Sequence, residues 1–155
     1  MPVPDFIVEL RRKVGHDLLW LPGITAVVLD ADAVLLVRRA DNGQWAPVTG
    51  ILDPGEPPAA CAVRETREET RVEARVERLV SVTALEPVTH PNGDRAQYLD
   101  LTFRLAYVAG TAAVGDDESL DVGWFPVRDL PPMKPEARLR VDQALQAEGD
   151  VLFQR

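Results

Sequence analysis

Three glutamates, Glu65, Glu68 and Glu69, stand within five consecutive positions of a polar segment that is framed by Arg64, Arg67 and Arg71. On a helix the three acids share an arc of about 100°, and Ala59, Ala62, Val63, Thr66 and Thr70 fill the neighbouring stripe. The acids therefore border the core-facing side. Like charges three and four residues apart repel by a few tenths of a kcal/mol per pair, a cost without structural return unless something positive sits among them. Hard carboxylate oxygens grouped in this way suit Mg²⁺ or Mn²⁺. Taken alone, however, the triplet fits a solvated acidic face compensated by its arginines better than it fits a metal site.

The wider spacing reverses that balance. Gly50, Glu56, Arg64, Glu65, Glu68 and Glu69 follow the order G-x5-E-x7-R-E-x2-E-E within residues 50–72, GILDPGEPPAACAVRETREETRV. This resembles the Nudix box of the Nudix hydrolases, which cleave a nucleoside diphosphate linked to another moiety. The box takes in 23 of the 155 residues, and the order of strands around it and the closing helix are also similar to the family. Three positions depart from the family pattern: Arg71 stands where glycine is usual, Thr66 where a bulky aliphatic is usual, and Thr49 where a second glycine is common. None removes a carboxylate. A glycine at position 71 would end the helix in a left-handed conformation that costs other residues about 1 kcal/mol. Either Arg71 accepts that conformation or the helix runs on into Glu73. The first is preferred, because Val72 falls among the acids on the helical wheel and continuing the helix would not bury it.

The resemblance implies a Mg²⁺- or Mn²⁺-dependent hydrolysis of the pyrophosphate linkage of a nucleotide derivative such as ADP-ribose or a nucleoside triphosphate. Glu65, Glu68 and Glu69 would carry the metal ligands, with the Gly50 carbonyl as a further ligand and Glu56 beside them, acting through water. Arg64 would serve the catalytic set structurally, tying the loop before the helix to a carboxylate through its forked guanidinium. Glu118, in the acidic turn Asp116-Asp117-Glu118, is the candidate general base; Glu68 or Glu69 are alternatives, and a solvated turn is the plain reading. Arg38 and Arg39 end a strand near the metal site in the family layout, and strand alternation lets only one of them face inward to hold a phosphate oxygen. Tyr98 and Asp100 share a strand face, the first to stack a base and the second to hydrogen-bond a ribose. His16 and His90 read as surface or capping residues, Cys61 as packing, and Trp45 as either core or substrate contact. A competing reading is a degenerate Nudix-like module that binds a nucleotide or a protein without turnover.

Several elements must position these groups. Residues 4–14 carry Phe6, Ile7, Leu10 and Val14 at helical spacing, with Gly15 as the stop, and this helix packs on the domain or on a second subunit of a homodimer. Residues 24–29 and 34–37 are apolar runs that read as a buried hairpin, followed by a tight turn at Asp41-Asn42-Gly43. Residues 57–72 form the acidic helix, entered through two prolines. Residues 76–85 and 97–108 are strands joined through Asn92-Gly93, residues 122–127 a last strand, and residues 135–146 a closing helix with Ala137, Leu139, Val141 and Leu145 apolar. The pattern predicts an α+β fold, and the resemblance makes it an α/β/α sandwich around a mixed, largely antiparallel sheet.

Seventeen lysines and arginines against twenty-five aspartates and glutamates leave a net charge of −8, with 46% hydrophobic and 27% charged residues. A chain of this length buries roughly 70% of its unfolded surface, which suits one domain over residues 1–155. The acidic balance argues against sequence-independent nucleic-acid binding, and an acidic protein that handles phosphates needs a divalent cation to do so. Residues 18–29 lack charge but contain Pro22 and Gly23 and fall well short of a membrane span. Charges at Asp5, Glu9, Arg11, Arg12 and Lys13 and the single Cys61 point to a cytoplasmic protein.

Overall fold

In the computed structural model, which describes residues 3–155, the apolar run 24–29 forms the second half of a longer strand, β1 (Leu19–Asp30), at the centre of the sheet. It turns back through a hairpin into β2 (Ala33–Arg39), with Leu29 opposite Val34. Residues 23–28 of β1 and 34–37 of β2 are buried on both faces, which is why these stretches are almost continuously apolar. Ile24, Ala26 and Val28 of β1 and Leu35 and Val37 of β2 point into one core, whereas Val27, Val34 and Leu36 point into another. Two short strands follow, β3 (Trp45–Ala46) and β4 (Val48–Ile51), and then the acidic helix α2 (Pro58–Thr70), whose Cys61 and Ala62 close the first core. The helix α1 (Asp5–Val14) precedes β1.

The chain continues through β5 (Glu73–Ala84), β6 (Val88–Thr89), β7 (Arg95–Ala109) and β8 (Ser119–Pro126) into α3 (Pro135–Leu145) and β9 (Leu152–Phe153). The sheet runs β3-β2-β1-β7-β5-β9, with β4 paired to β1, β6 to β7 and β8 to β2. The β1–β7 and β5–β9 pairs are parallel and the others antiparallel. Val141 and Ala144 of α3 cover the second core. The result is the expected α+β sandwich, a mixed sheet between helices.

One edge of β1 is shared: Gly23 to Ala26 pair with β4, and Leu29 and Asp30 pair with β2. This fork sends β4 away from β2 and brings it under α2. The helix α1 packs on its own domain, where Ile7 joins Leu21 and Ala96 in a third cluster flanked by Phe6, Ile51 and Tyr98. No helix among the described residues is long and apolar enough to cross a membrane.

Three details differ from the sequence pattern. Leu139 was expected on the apolar face of α3 but is 57% exposed; the buried face is Ala137, Val141 and Ala144, spaced at four and three residues. The strands β3, β4, β6 and β9 were not expected, because each is two to four residues long and exists only through its partner. On α2 the buried residues include Glu65 and Glu69 themselves, so these two acids lie under the neighbouring elements and not along the rim of the core face.

Candidate functional site

The site begins where β4 meets α2. Gly50 presses its backbone against the Glu65 side chain so closely that a Cβ there would fall 2.3 Å from Cγ and 2.6 Å from Oε1. Glycine is the residue that permits this approach. Glu65 is fully buried, its Oε1 accepts a hydrogen bond from Arg64 Nη1 at 2.9 Å, and its Oε2 is buried without a hydrogen-bond partner. Such an orphan is costly, because the desolvation of a carboxylate oxygen is returned by nothing. Burial raises the Glu65 carboxyl to about 7, with Glu68 and Glu118 adding repulsion against the relief from Arg64. One helical turn on, Glu69 is 4% exposed and is raised to about 8, again chiefly by burial and then by Glu65, Asp116 and Glu118. Two buried, mutually repelling carboxylates without enough compensating charge describe a place that a cation would stabilise.

Arg64 organises the entry to α2. Its Nε and Nη2 donate to the two oxygens of Glu56 at 2.7 and 2.9 Å, and its Nη1 also reaches Glu68 Oε2 at 3.1 Å. Glu56 Oε2 in turn accepts from the Asp53 backbone N–H, closing the turn before the helix. The two-pronged tie expected of Arg64 is therefore present. Both oxygens of Glu56 are thereby occupied, by Arg64 and the Asp53 N–H, and the hydrogen bonds and charge of Arg64 hold its carboxyl below the ordinary range. Glu68 is half exposed on the helix surface. Among the described residues no three side chains converge into a ready-made metal cluster. The donor set nevertheless fits a hard divalent cation, since the orphaned Glu65 oxygen, the Glu69 carboxylate beside it and the close backbone of Gly50 are all oxygen ligands of the kind such ions take.

Glu118 comes to the same place from far along the chain. The loop after β7 docks on the end of α2, where Ala113 N–H donates to Thr70 O at 3.0 Å and Gly115 N–H to Glu69 O at 2.9 Å. A Cβ on Gly115 would overlap the Glu68 carbonyl at 1.8 Å, so this docking requires glycine. At its other end Ala40 N–H donates to Glu118 O at 2.7 Å. The Glu118 charge is felt at Glu65, Glu69 and Arg39.

Of the two arginines that end β2, Arg39 turns to the site and Arg38 is exposed, one position out of phase. Arg39 donates from Nε and Nη2 to Asp41 at 3.0 and 2.9 Å and from Nη1 to Thr49 Oγ1 at 3.1 Å, and Asp41 with Glu69 and Glu118 keeps it charged. Arg38 is thus the one of the two that alternation turns outward. Asp100 is held by its own neighbours. It is 4% exposed, and its two oxygens accept from Thr25 Oγ1 and Thr102 Oγ1, both at 2.7 Å, which leaves it inside the sheet as a satisfied buried carboxylate. Tyr98 stays half-buried near the site: its ring and the Gly50 carbonyl both flank Gly23. His90 Nε2 lies 3.4 Å from the Tyr98 hydroxyl, and His16 pairs with Asp94 at 2.8 Å on the surface. Trp45 is core, edge-on to Phe125 at 4.7 Å, and Cys61 is buried with its thiol pushed up to about 12.

Sequence reasoning missed the Thr49 hydroxyl, which anchors Arg39, and a groove of roughly 630 Å³ beside Arg64 and Glu68 that runs between Phe6 at the start of α1 and Ile51 and Pro54.

Comparison with known proteins places this geometry in context. The family model described as the NUDIX domain matches residues 20–145. The NAD-capped RNA hydrolase NudC of Pseudomonas putida is 34% identical over 114 residues, 72% of this chain. That match takes in 38% of the relative's length, so the chain spans about two fifths of the curated relatives it matches. Among solved structures, an ADP-ribose pyrophosphatase from Streptococcus suis superimposes with a TM-score of 0.67 at 20% identity, over 86% of this chain and 98% of that one. The NUDIX domain of Shewanella oneidensis NrtR, solved in complex with ADP ribose, does so with a TM-score of 0.66 at 18% identity, over 94% of this chain and 98% of that one.

Proposed function

The chain belongs to the NUDIX family, and from that premise we propose that it is a pyrophosphohydrolase cleaving the phosphoanhydride of a small nucleoside diphosphate derivative with Mg²⁺ or Mn²⁺. The observation that carries this reading is Glu65, a fully buried carboxylate with an orphaned oxygen, seated against Gly50 and next to the equally buried Glu69. Glu65, Glu68 and Glu69 would hold the ion, with the Gly50 carbonyl as a further ligand and Glu56 acting at one remove through Arg64. When bound, a divalent ion supplies positive charge for the pyrophosphate oxygens and polarises water.

The protein's own groups supply the rest. Arg39, already fixed by Asp41 and Thr49, presents a charge that attracts a phosphate oxygen without a further loss of side-chain freedom. Arg64 fixes Glu56 and the turn from Asp53, which keeps the start of α2 in place while Glu68 is free to change partner. Glu118 accepts the proton of the attacking water from the loop docked on α2. Tyr98 offers a ring for the base. One similar protein is named for NAD-capped RNA and another for ADP-ribose, so ADP-ribose and NAD derivatives are the first substrates to try.

The test is product release from a panel of ADP-ribose, NADH and the nucleoside triphosphates, with Mg²⁺ or Mn²⁺ at pH 8 to 9 and E69Q as control. Cleavage by the wild type and not by E69Q is the expected result. Tight nucleotide binding with no cleavage across the panel would overturn it in favour of a binding module.

A further inference from the structure

The residue at the end of α2 does more than end the helix. Arg71 sits at φ 61°, ψ 11°, the left-handed conformation that favours glycine, and its backbone N–H donates to Arg67 O at 3.0 Å, as a helix-terminating residue does. A side chain there is strained, and such strain persists where the surroundings give something in return. Here the return is visible. The Arg71 guanidinium reaches 44 residues along the chain and donates from Nη2 to the Gly115 carbonyl at 2.8 Å.

That carbonyl belongs to the loop that carries Asp116 and Glu118. The loop is strung between two anchors: its near end on the last turn of α2, through Ala113 and Gly115, and its far end on β2, through Glu118 O and Ala40 N–H. Between them the Glu118 charge bears on Glu65 and Glu69. The near anchor consists of two backbone bonds and the Arg71 side chain. Of these three only the last is made by a side chain, and Arg71 lies two residues from Glu69 in sequence. Gly110 at the start of the loop is likewise pressed on Arg71, since a Cβ there would fall 2.5 Å from Arg71 O.

We propose that Arg71 is a positioning residue for the reaction: its guanidinium clamps the Gly115 carbonyl and so holds the acidic loop against α2 with Glu118 facing the buried pair Glu65 and Glu69. The proposal rests on the hydrolase reading given above. It explains why a left-handed position carries the bulkiest cationic side chain and no glycine.

Three variants separate the clamp from the helix end. R71M keeps the Cβ and the aliphatic stem but has no donor; R71G has no donor and relieves the backbone; R71K keeps a donor. Turnover is measured on whichever panel substrate the wild type cleaves fastest, together with melting temperature and amide hydrogen exchange at Ala113 and Gly115. Loss of one charge-assisted bond should speed exchange at Gly115 and lower kcat by about tenfold in R71M and R71G, with KM near the wild-type value. R71G should show this at an unchanged or higher melting temperature, and R71K should restore most of both quantities. Wild-type kcat and exchange in R71M and R71G would overturn the proposal, as would a fall in kcat that simply follows the melting temperature. A wild-type protein inactive on the whole panel would overturn the hydrolase reading itself, and that outcome is recognised before any variant is made.

Discussion

Glu69 and Glu118 make different demands on the same few ångströms, and substitution separates them. Glu69 is buried against the charge of Glu65, so replacing it with the neutral amide removes repulsion as well as a ligand. E69Q, and E68Q on the exposed side of the helix, should lower turnover by two or more orders of magnitude while the metal-free protein melts no earlier than the wild type. Wild-type turnover in either variant at saturating Mg²⁺ would remove the metal assignment. Glu118 reaches the pair from a loop, and its role is with water. E118Q should reduce kcat and leave Mg²⁺ affinity, measured by calorimetry, close to wild type. Equal losses in both would make it a ligand. At this scale the sequence was informative wherever function fixes spacing, as in the box carboxylates and Arg64. It offered Asp100 to a ribose without sight of its partners, since one of the two hydroxyls that satisfy this residue, Thr25, lies 75 positions away.

At the scale of elements, the three departures from the family pattern each have a local answer. Thr66, in a buried position on α2, donates to the Ala62 carbonyl at 2.8 Å, so its hydroxyl is satisfied within the helix. Thr49 on β4 accepts from Arg39, and Arg71 ends α2 in the left-handed form preferred on sequence grounds. The boundaries of α1, α2 and α3 were legible to within a residue or two from prolines, glycines and apolar spacing. The front of β1, residues 19–23, and the short strands were not, because they are defined by pairing across the sheet and not by their own residues. The close seating of β4 on α2 has a measurable consequence. In G50A the added methyl would overlap the Glu65 carboxylate, so either strand or helix must shift. Stability should fall by roughly 1–3 kcal/mol and Mg²⁺ binding should weaken at least tenfold, read by denaturant melts and calorimetry. Unaltered metal affinity would show that Gly50 is needed for packing alone.

For the molecule as a whole, the buried acids should make stability depend on pH in an unusual direction. Glu65 and Glu69 titrate near 7 and 8 when folded against an ordinary value of 4.5, so between these limits the folded state binds protons that the unfolded chain has released. Their contribution is complete below about pH 4.5 and is lost as pH rises through 7 to 8. Glu56, Asp41 and Asp94 are shifted the other way, and their contributions are lost only in acid, as pH falls through carboxyl values below the ordinary range. Urea melts in EDTA should therefore show stability declining from pH 5 to pH 9, and saturating Mg²⁺ should flatten the decline by binding the folded state alone. A profile in EDTA that is flat or rises with pH would contradict the burial of these two charges. The topology has a consequence of another kind. The parallel pairing that aligns Leu19 with Ala96 and Leu29 with Ala106 joins segments made far apart in time on the ribosome. For the whole interval in which α2 and its carboxylates are synthesised, β1 has no β7 to lie against. The site helix is thus complete as a peptide before half of its sheet exists, and chains released before β7 emerges carry every box residue over β1 and β4 alone, with the far edge of β1 unpaired.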